Sequence, residues 1–288
     1  MAISGSGTSS DPWIVHDWEE FVTAVGRDQN DSYIELGNDI DAPVETTSAL
    51  TIKYPRQIDG KGYAINNAHA TGTSPFLIIQ HRADINKDIQ NIDFKNILHD
   101  SSAPFIEFKQ KSASMNVRDC SFAGYFDNGY LFKSSTGQDG AWGLSALGIS
   151  LNLDVSNGDF HIIERYISSS STDGFKWING QIRYVNCTPS NQLFLKQSTE
   201  NRANLSYSTL RLYLDSAEAK LNIGANVNFC YIIGSGSGVI VPACSGVSVV
   251  ESTLPLETSL SNVYSLPTAT MKDPQTLHND YGFPAGVN

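Results

Sequence analysis

Apolar residues near the start of the chain recur with the spacing of an amphipathic helix. Four of them lie at positions i, i+3, i+4 and i+7 and would share one face: Trp18, Phe21, Val22 and Val25. Asp17 is placed as an N-cap with Glu20 three residues later, which is an acidic capping box. Gly26 is a typical residue at which a helix ends. The pattern predicts one helix from His16 to Val25 and no second helix.

The pattern then changes to short runs of alternating or continuous apolar residues, which is typical of β-strands. Tyr33–Pro43 indicates a strand with a polar turn, and Ile58–Asn67 indicates a strand, a tight glycine turn and a second strand. Similar runs continue almost to the end, each closed by Asn, Gly, Asp or Ser. Because no linker interrupts them, we expect a single all-β domain.

An internal repeat of apolar-x-x-apolar-x-apolar-x-(Gly or Asn) indicates the architecture. It occurs at Ile89, Ile92, Phe94, Asn96; at Val117, Cys120, Phe122, Gly124; and at Val227, Cys230, Ile232, Gly234. Ile182, Val185, Cys187 fits with Pro189 in the last place, and Leu205, Ser208, Leu210 is a weaker copy. A second set of runs lies between the copies: 75–79, 104–108, 130–133 and 192–196.

Such a repeat, with a period of about 22 to 30 residues, predicts a β-solenoid with two or three short strands in every coil. Equivalent inward positions stack from coil to coil, and we place Cys120, Val185 and Cys230 in one such ladder. Asn or Gly at the corner tolerates left-handed backbone angles. The alternative is a β-sandwich, whose strand spacing is shorter.

A solenoid has an apolar end that must be covered. We expect the helix to cover it, with Trp13, Trp18 and Phe21 over the first coil and the Gly/Ser segment before them as a flexible lead or attachment arm. The expected organisation is an arm and capping helix over 1–30, a β-helix over 31–265 and a C-terminal tail over 266–288.

Composition narrows the classes of function. Hydrophobic residues make up 40% and charged residues 17% of the chain, and the net charge is −11. Nucleic-acid binding through a basic surface is therefore not expected. No run approaches the ~20 apolar residues of a membrane span, and the opening has neither the basic start nor the apolar core of a secretion signal. We accordingly expect folding in a cytoplasm.

The four cysteines give no metal signature. Cys120, Cys187, Cys230 and Cys244 form no CxxC pair and have no histidine at ligand spacing. Their apolar neighbours predict buried, reduced thiols. We expect no metal site and no cofactor.

The opening GSGTSSDPWIVHDWEEFVTAV (Gly5–Val25) followed by YIELGNDID (Tyr33–Asp41) resembles the N-terminal cap of pectate-lyase-like right-handed parallel β-helices. IDGKGYAI (Ile58–Ile65) is similar to the first coil of the same superfamily. The opening also resembles structural proteins of tailed bacteriophages, and MKDPQTLHNDYGFPAGVN (Met271–Asn288) resembles a tail on phage and bacterial-surface β-helix proteins. The resemblance implies the fold more firmly than a function, because this fold carries lyases, hydrolases, adhesins and spacers.

The acidic residues offer weak catalytic candidates. The resemblance implies that a lyase of this fold would bind calcium through clustered Asp residues. Asp39, Asp41 and Asp59 are the nearest group, and we interpret them as structural turn residues. A glycoside hydrolase needs two carboxyl groups about 5 to 10 Å apart, and the best candidates for these are Asp93, Glu107 and Asp119.

Other catalytic motifs are missing from the sequence. The six histidines are dispersed and have no triad context. The GSGSG of 234–238 lacks the ending of a phosphate loop, and we interpret it as a turn between coils.

Binding of glycans is the remaining chemistry. Trp142 and Trp177 lie in or beside the Gly/Ser-rich insertions 134–148 and 168–180, and Tyr130 precedes the first of them. Exposed aromatic rings on loops of a rigid scaffold are typical of sugar-binding sites. These three residues are the predicted glycan contacts.

The sequence thus predicts a non-enzymatic virion protein, a decoration or fibre-type β-helix on the head or tail of a bacteriophage. Its expected partners are other virion proteins and a host-surface polysaccharide, with assembly into a trimer. The alternative is a tailspike-like polysaccharide depolymerase. A bacterial surface adhesin is a third interpretation, disfavoured by the opening residues.

Overall fold

The computed structural model of the chain describes a defined set of residues. These are residues 3–29, 32–44, 48–80, 88–109, 114–134, 143–155, 160–165, 176–178, 180–185, 192–197, 204–206, 209–214, 220–223, 226–228, 230–236, 239–242, 248–252, 263–267, 270 and 273–281.

Strands dominate the described chain, and a short helix lies near each end. The helices are α1 (Trp18–Gly26) and α2 (Pro274–Tyr281). In chain order the strands are β1 (Trp13–Val15), β2 (Ser32–Leu36), β3 (Ile40–Asp41), β4 (Leu50–Ile52), β5 (Arg56–Asp59), β6 (Ala64–Asn66), β7 (Ala70–Gly72), β8 (Leu77–Ile79), β9 (Asp88–Gln90), β10 (Asp93–Phe108), β11 (Ser114–Arg118), β12 (Ser121–Ser134), β13 (Gly143–Leu147), β14 (Ser150–Asp154), β15 (Phe160–Arg165), β16 (Lys176–Ile178), β17 (Gly180–Val185), β18 (Gln192–Gln197), β19 (Asn204–Ser206), β20 (Thr209–Leu214), β21 (Lys220–Ile223), β22 (Asn226–Asn228), β23 (Cys230–Gly236), β24 (Val239–Pro242), β25 (Ser248–Ser252) and β26 (Val263–Ser265).

The first sheet shows that the chain winds as a β-helix. It is 7-stranded and parallel, in the order β1-β2-β5-β9-β11-β13-β16, and each strand adds one coil to the strand before it. The pairing register stacks one residue of each of these seven strands into a column: Trp13, Ile34, Ile58, Ile89, Val117, Ala146 and Trp177. The predicted solenoid is confirmed.

Two further rows of parallel strands complete each coil. One follows the turn after the first sheet and stacks Ile40, Ile65, Phe94, Phe122, Leu151, Ile182 and Leu212. The other stacks Leu50, Leu77, Ile106, Phe132, Ile163 and Leu195. The column that begins at Leu50 confirms that the runs at 75–79, 104–108, 130–133 and 192–196 are equivalent positions of different coils.

Residues with a left-handed backbone conformation form the corners between these rows. After the first sheet, Lys61, Asn91 and Asp119 have φ values of 55°, 55° and 48°. At the corner that the repeat predicted, Asn96 has a φ of 51° and Gly124 a φ of 156°. Asn and Gly are favoured here because short or absent side chains lower the cost of a positive φ.

The predicted ladder of Cys120, Val185 and Cys230 is wrong. Val185 pairs with Asp154, and Cys230 pairs with Ser248. The register carries the column of Cys120 through Ile149, Gly180, Leu210 and Ile232. Because Gly180 stands at this position, the coil lacks the apolar anchor that the repeat predicts. Val185, further along the chain, fits the repeat pattern in its place.

The GSGSG segment also differs from its interpretation as a turn. Gly234, Ser235 and Gly236 belong to strand β23, where they pair with Leu212, Tyr213 and Leu214. The last two residues of the segment lie outside the described residues.

Phenylalanine rings fill the interior of the first coils. Phe94 stacks on Phe122 with centroids 4.9 Å apart, and Phe76 stacks on Phe105 at 5.0 Å. The two stacks meet edge to face, with Phe94 and Phe105 at 5.9 Å. Offset stacking and edge-to-face contacts are the favourable arrangements of aromatic rings, so the register of the strands and the packing of the rings support one another.

Helix α1 begins as the sequence predicts. Asp17 is the N-cap, and its Oδ1 accepts a hydrogen bond from the Glu20 N–H at 2.8 Å. The reciprocal bond differs by one residue from an ideal capping box, because Glu20 Oε2 accepts from the His16 N–H at 2.8 Å. The helix ends at Gly26, as expected.

The buried face of α1 is rotated from the predicted one. Its buried members are Glu20, Phe21, Ala24 and Val25. Val22 is 37% exposed, so its assignment to the apolar face is wrong. The half-buried Trp18 ring lies 5.7 Å from both Phe21 and Phe76, which confirms that the helix covers the first coil. Trp13 lies within β1 and is the first member of the interior column.

The segment before β1 is folded, so its interpretation as a flexible lead is wrong. The N–H groups of residues 6, 7 and 8 all donate to the Asp11 carbonyl, and the Ile14 N–H donates to the Ser4 carbonyl. Gly7 has a φ of 77°, and a Cβ there would lie 2.5 Å from the Trp13 ring. The glycine is therefore required by close packing against this ring.

The expectation of a single helix is also wrong. Helix α2 follows Asp273, whose carboxylate accepts from the Thr276 hydroxyl at 2.6 Å and the Gln275 N–H at 3.2 Å. Pro274 occupies the first helical position, where its missing N–H costs nothing. Leu277 is buried, and the polar composition around it hides the helical pattern in the sequence.

A buried arginine joins the end of α1 to the first sheet. Arg56 is 0% exposed, and its guanidinium donates to the Arg27 carbonyl and the Ser32 hydroxyl. It also lies 5.7 Å from the centre of the Trp13 ring. Burial lowers the pKa of Arg56 to about 10, which leaves it charged at neutral pH. No pattern in the sequence marked it.

The stacked rings give the first prediction. Phe122 is fully buried and contacts Phe94, Phe105 and Phe132, so Phe122→Ala should lower the free energy of unfolding by about 3–5 kcal/mol. Val44→Ala, at a side chain that is 63% exposed, is the control and should change it by about 0.5 kcal/mol or less. Urea unfolding followed by circular dichroism measures both. Equal midpoints for the two variants would contradict the stacked core.

Candidate functional site

A polar groove crosses the third row of strands in the N-terminal part of the described β-helix. Its volume is about 470 Å³. Its described lining residues are Thr73, Pro75, Ser102, Ala103, Pro104, Glu107, Lys109 and Lys133. Glu107 pairs with Ile78 in the coil before it and with Lys133 in the coil after it, so the groove spans consecutive coils.

The two lysines of the groove are held by different contacts, Lys109 by the Glu107 carboxylate and Lys133 by the Tyr130 ring. Lys109 Nζ lies 3.4 Å from Glu107 Oε2, with the side chains 43% and 17% exposed. Lys133 Nζ lies 4.6 Å from the centre of the Tyr130 ring. A cation at this distance from an aromatic face is attracted to it, which limits the positions that the Lys133 ammonium adopts.

Hydrogen bonds fix the wall of the groove that carries its hydroxyl groups. Ser101 Oγ donates to the Gly72 carbonyl at 2.8 Å and accepts from the Ala103 N–H at 3.0 Å. Gly129, with a φ of 87°, packs against this wall, and a Cβ there would lie 2.3 Å from the Ser101 carbonyl oxygen. Thr73 and Ser102 therefore project from backbone that is tied between coils.

Two histidines lie at the corner behind this wall. His69 is buried, and its Nδ1 accepts from the Leu98 N–H at 3.0 Å. Burial lowers the pKa of His69. His99 pairs with Ala70 in the register and packs its ring 6.2 Å from Phe105.

The three predicted catalytic acids do not converge on this groove. Glu107 lines it, near the end of β10. Asp93 is the first residue of the same 16-residue strand, where it accepts from the Ser121 hydroxyl at 2.6 Å and lies 3.7 Å from Lys95. Asp119 is an exposed corner residue with a positive φ. Asp93 and Glu107 thus stand at opposite ends of the strand.

The structural interpretation of the N-terminal acids is confirmed. Asp39 accepts from the Ala64 N–H at 2.9 Å, and Asp41 from the Asn66 amide at 3.0 Å. Each carboxylate therefore ties its coil to the coil that follows.

Asp59 has a similar role at the next corner. It accepts from the Asn91 and Gln90 amides at 3.0 and 2.8 Å and from the Lys61 N–H at 2.9 Å. Burial alone would raise the pKa of Asp59, but these hydrogen bonds together hold it below its usual value.

The structure describes two of the three predicted glycan contacts, Tyr130 and the backbone of Trp177. Tyr130 is 9% exposed, and the ammonium of Lys133 lies over its ring. Trp177 occupies a backbone position in β16 whose register partner is Ala146. Trp142 lies outside the described residues. The assignment of these three residues to sugar binding stays a prediction.

The lysines of the groove were missed by the sequence analysis. A signal was present, because aligning the equivalent runs PFIEF and YLFK places Glu107 opposite Lys133. Charged residues at outward strand positions are ordinarily only solvated. The alignment of Glu107 with Lys133 therefore indicates a site only once the structure shows that both residues line the groove.

Among the described residues, no group of three or more His, Cys, Asp or Glu side chains is placed to hold a metal ion. In the same part of the chain, no helix combines the length and apolar character needed to cross a bilayer.

Comparison with known proteins agrees with the fold of the first coils. Residues 14–125 match the family model described as "Putative pectate lyase-like adhesive domain". No curated protein matches the sequence significantly. The family match over these residues and the parallel coils together support a β-helix of the pectate-lyase-like kind.

Two solved structures align along most of the chain. A "putative immunoglobulin A1 protease" from Bacteroides ovatus aligns with a TM-score of 0.45 and 15% identity, over 91% of this chain and 85% of that chain. L. reuteri 53608 SRRP aligns with a TM-score of 0.44 and 17% identity, over 88% of this chain and 96% of that chain.

The burial of His69 leads to a prediction on how the stability of the protein depends on pH. In the unfolded chain His69 takes up a proton as the pH falls below about 6.5, whereas in the folded protein its lowered pKa delays protonation. The unfolded state then binds more protons, so the free energy of unfolding should fall as the pH drops from about 6.5 through the folded-state pKa.

His69→Asn tests this, because an amide oxygen can accept the Leu98 N–H bond without titrating. Urea unfolding at pH 7.5 and 5.5 should show a smaller loss of stability in His69→Asn than in the natural protein. The control is His278→Asn, at an exposed residue of α2. An equal loss in all three proteins would contradict the assignment to His69.

Proposed function

We propose that this protein is a non-enzymatic adhesive β-helix that binds a surface polysaccharide through the groove around Glu107, Lys109 and Lys133. The observation that carries the proposal is the coincidence of the groove with the family match. All but one of the described lining residues fall within residues 14–125, the segment that matches an adhesive-domain model. A rigid, polar groove on stacked coils is suited to an extended sugar chain.

The arrangement of charges supports binding over hydrolysis. Acid–base cleavage of a glycosidic bond ordinarily needs two carboxyl groups about 5–10 Å apart. Glu107 is the one carboxylate among the described residues that line the groove, and Lys109 neutralises it. Asp93 stands at the far end of β10 and bonds to Ser121. The described lining of the groove therefore offers Glu107 no second carboxylate as a catalytic partner.

The adhesive function leads to an expected outcome on polysaccharides. The purified full chain should bind at least one surface polysaccharide on a glycan array, and prolonged incubation with that polysaccharide should release neither reducing ends nor unsaturated sugars. A glycoside hydrolase and a lyase active on the same polymer serve as positive controls. Release of either product by this chain, abolished in Glu107→Gln, would overturn the non-enzymatic assignment.

We further propose that the protein belongs to a bacteriophage particle, as a decoration or fibre on the head or tail, and that it assembles as a trimer with other virion proteins as partners. In this proposal it folds in the host cytoplasm before assembly. The support is the resemblance of Gly5–Val25 and Met271–Asn288 to phage structural proteins.

Immunogold labelling of particles tests this placement. Label on the head would indicate a decoration role, and label at the tail tip would indicate recognition of the host. Particles that carry no label, alongside a positive control antibody against the capsid, would overturn the virion assignment while leaving sugar binding intact. Sedimentation of the purified chain as a monomer at micromolar concentration would count against the trimer.

A further inference from the structure

Acidic and basic residues alternate along the strand row that carries the groove. At one register position of successive coils, this row holds Glu107, Lys133, Glu164 and Lys196. Neighbouring strands lie about 4.8 Å apart, so each basic residue of the column has an acidic residue in the next coil. A polyanion laid along the column would therefore meet an acidic residue in every second coil.

The charge of the whole chain also disfavours a polyanion. The net charge is −11, and a protein of this sign repels a negatively charged polymer at long range. Inside the groove the nearest attraction is already used, because Lys109 Nζ lies 3.4 Å from Glu107 Oε2. Neither the long-range field nor the local charges of the groove select a ligand with a high negative charge.

Resting on the proposed function, we infer that the groove takes an uncharged stretch of polysaccharide and that the Lys109–Glu107 pair recognises two adjacent hydroxyl groups of one sugar. A hydroxyl group both donates and accepts hydrogen bonds. The Lys109 ammonium donates to the oxygen of one hydroxyl, and the Glu107 carboxylate accepts from the O–H of its neighbour. Hydrogen bonds to charged groups are stronger than those between neutral groups, so an ion pair can hold a sugar that carries no charge.

The remaining lining of the groove suits the same ligand. Thr73 and Ser102 offer hydroxyl groups, and Pro75 and Pro104 offer apolar surface to the C–H groups of a sugar ring. Since the ligand has no net charge, its affinity should depend little on the concentration of salt.

The test uses pairs of polysaccharides with and without added charge. Dextran, mannan and galactan are each presented beside their carboxymethyl forms, and binding of the full chain is measured by biolayer interferometry at low and high salt. At least one neutral polymer should bind, and its carboxymethyl form should bind about tenfold more weakly at low salt, because a carboxymethyl group removes a hydroxyl donor to Glu107. Added salt should leave the affinity for the neutral polymer unchanged and narrow the difference between the two forms.

Substitutions then locate the binding to the ion pair. Glu107→Gln should lower the affinity for the neutral polymer about tenfold and raise the affinity for its carboxymethyl form, because it removes the carboxylate that neutralises Lys109. Lys109→Gln should lower the affinity for both forms. The matched control is Glu35→Gln, at a carboxylate that lies 2.9 Å from Lys61 in the first sheet and outside the groove lining. It should bind as the natural protein does, and circular dichroism checks that all variants are folded.

The outcomes separate the inference from the proposed function. Tighter or equal binding of the carboxymethyl forms by the natural protein would overturn the uncharged ligand and leave adhesion standing. Binding of a neutral polymer that Glu107→Gln and Lys109→Gln leave unchanged would overturn the ion pair as its site. Binding to no polysaccharide, in either form, would overturn the adhesive function itself.

Discussion

The register between successive coils is the constraint on which this structure depends. Every described ladder pair is parallel and joins a residue to the equivalent one in the next coil, so a slip by one residue would turn an interior column outward. The ring stacks Phe94–Phe122 and Phe76–Phe105 resist such a slip, because each ring has its partner at only one register. Corner residues with positive φ, such as Asn91, return the chain to the same register in each coil.

The same register builds the outer surface. Alternation along a strand sends Ile106 and Phe108 into the core and leaves Glu107 outside between them. Pairing with the next coil then brings Lys133 opposite Glu107. A groove assembled from outward positions of consecutive coils therefore has its backbone fixed by the strand pairing and by the core beneath it.

The sequence predicted features that rest on local chemistry or on repetition. The N-cap Asp17, the turn at Lys61–Gly62 and the parallel coils all have signals within a few residues or at a fixed period. The assignment of Val185 and Cys230 to the column of Cys120 was wrong, because Gly180 removes the apolar signal from one coil. Lys109, Lys133 and Arg56 could not be assigned roles, since their partners are set by packing between coils and around the buried end of α1.

A crystal structure of the full chain with an oligosaccharide of a surface polysaccharide that it binds tests the central claim most directly. The account predicts electron density for sugar rings in the groove lined by Glu107, Lys109 and Lys133. Density for the sugar on the outer face of the first sheet, with the groove empty, would contradict it.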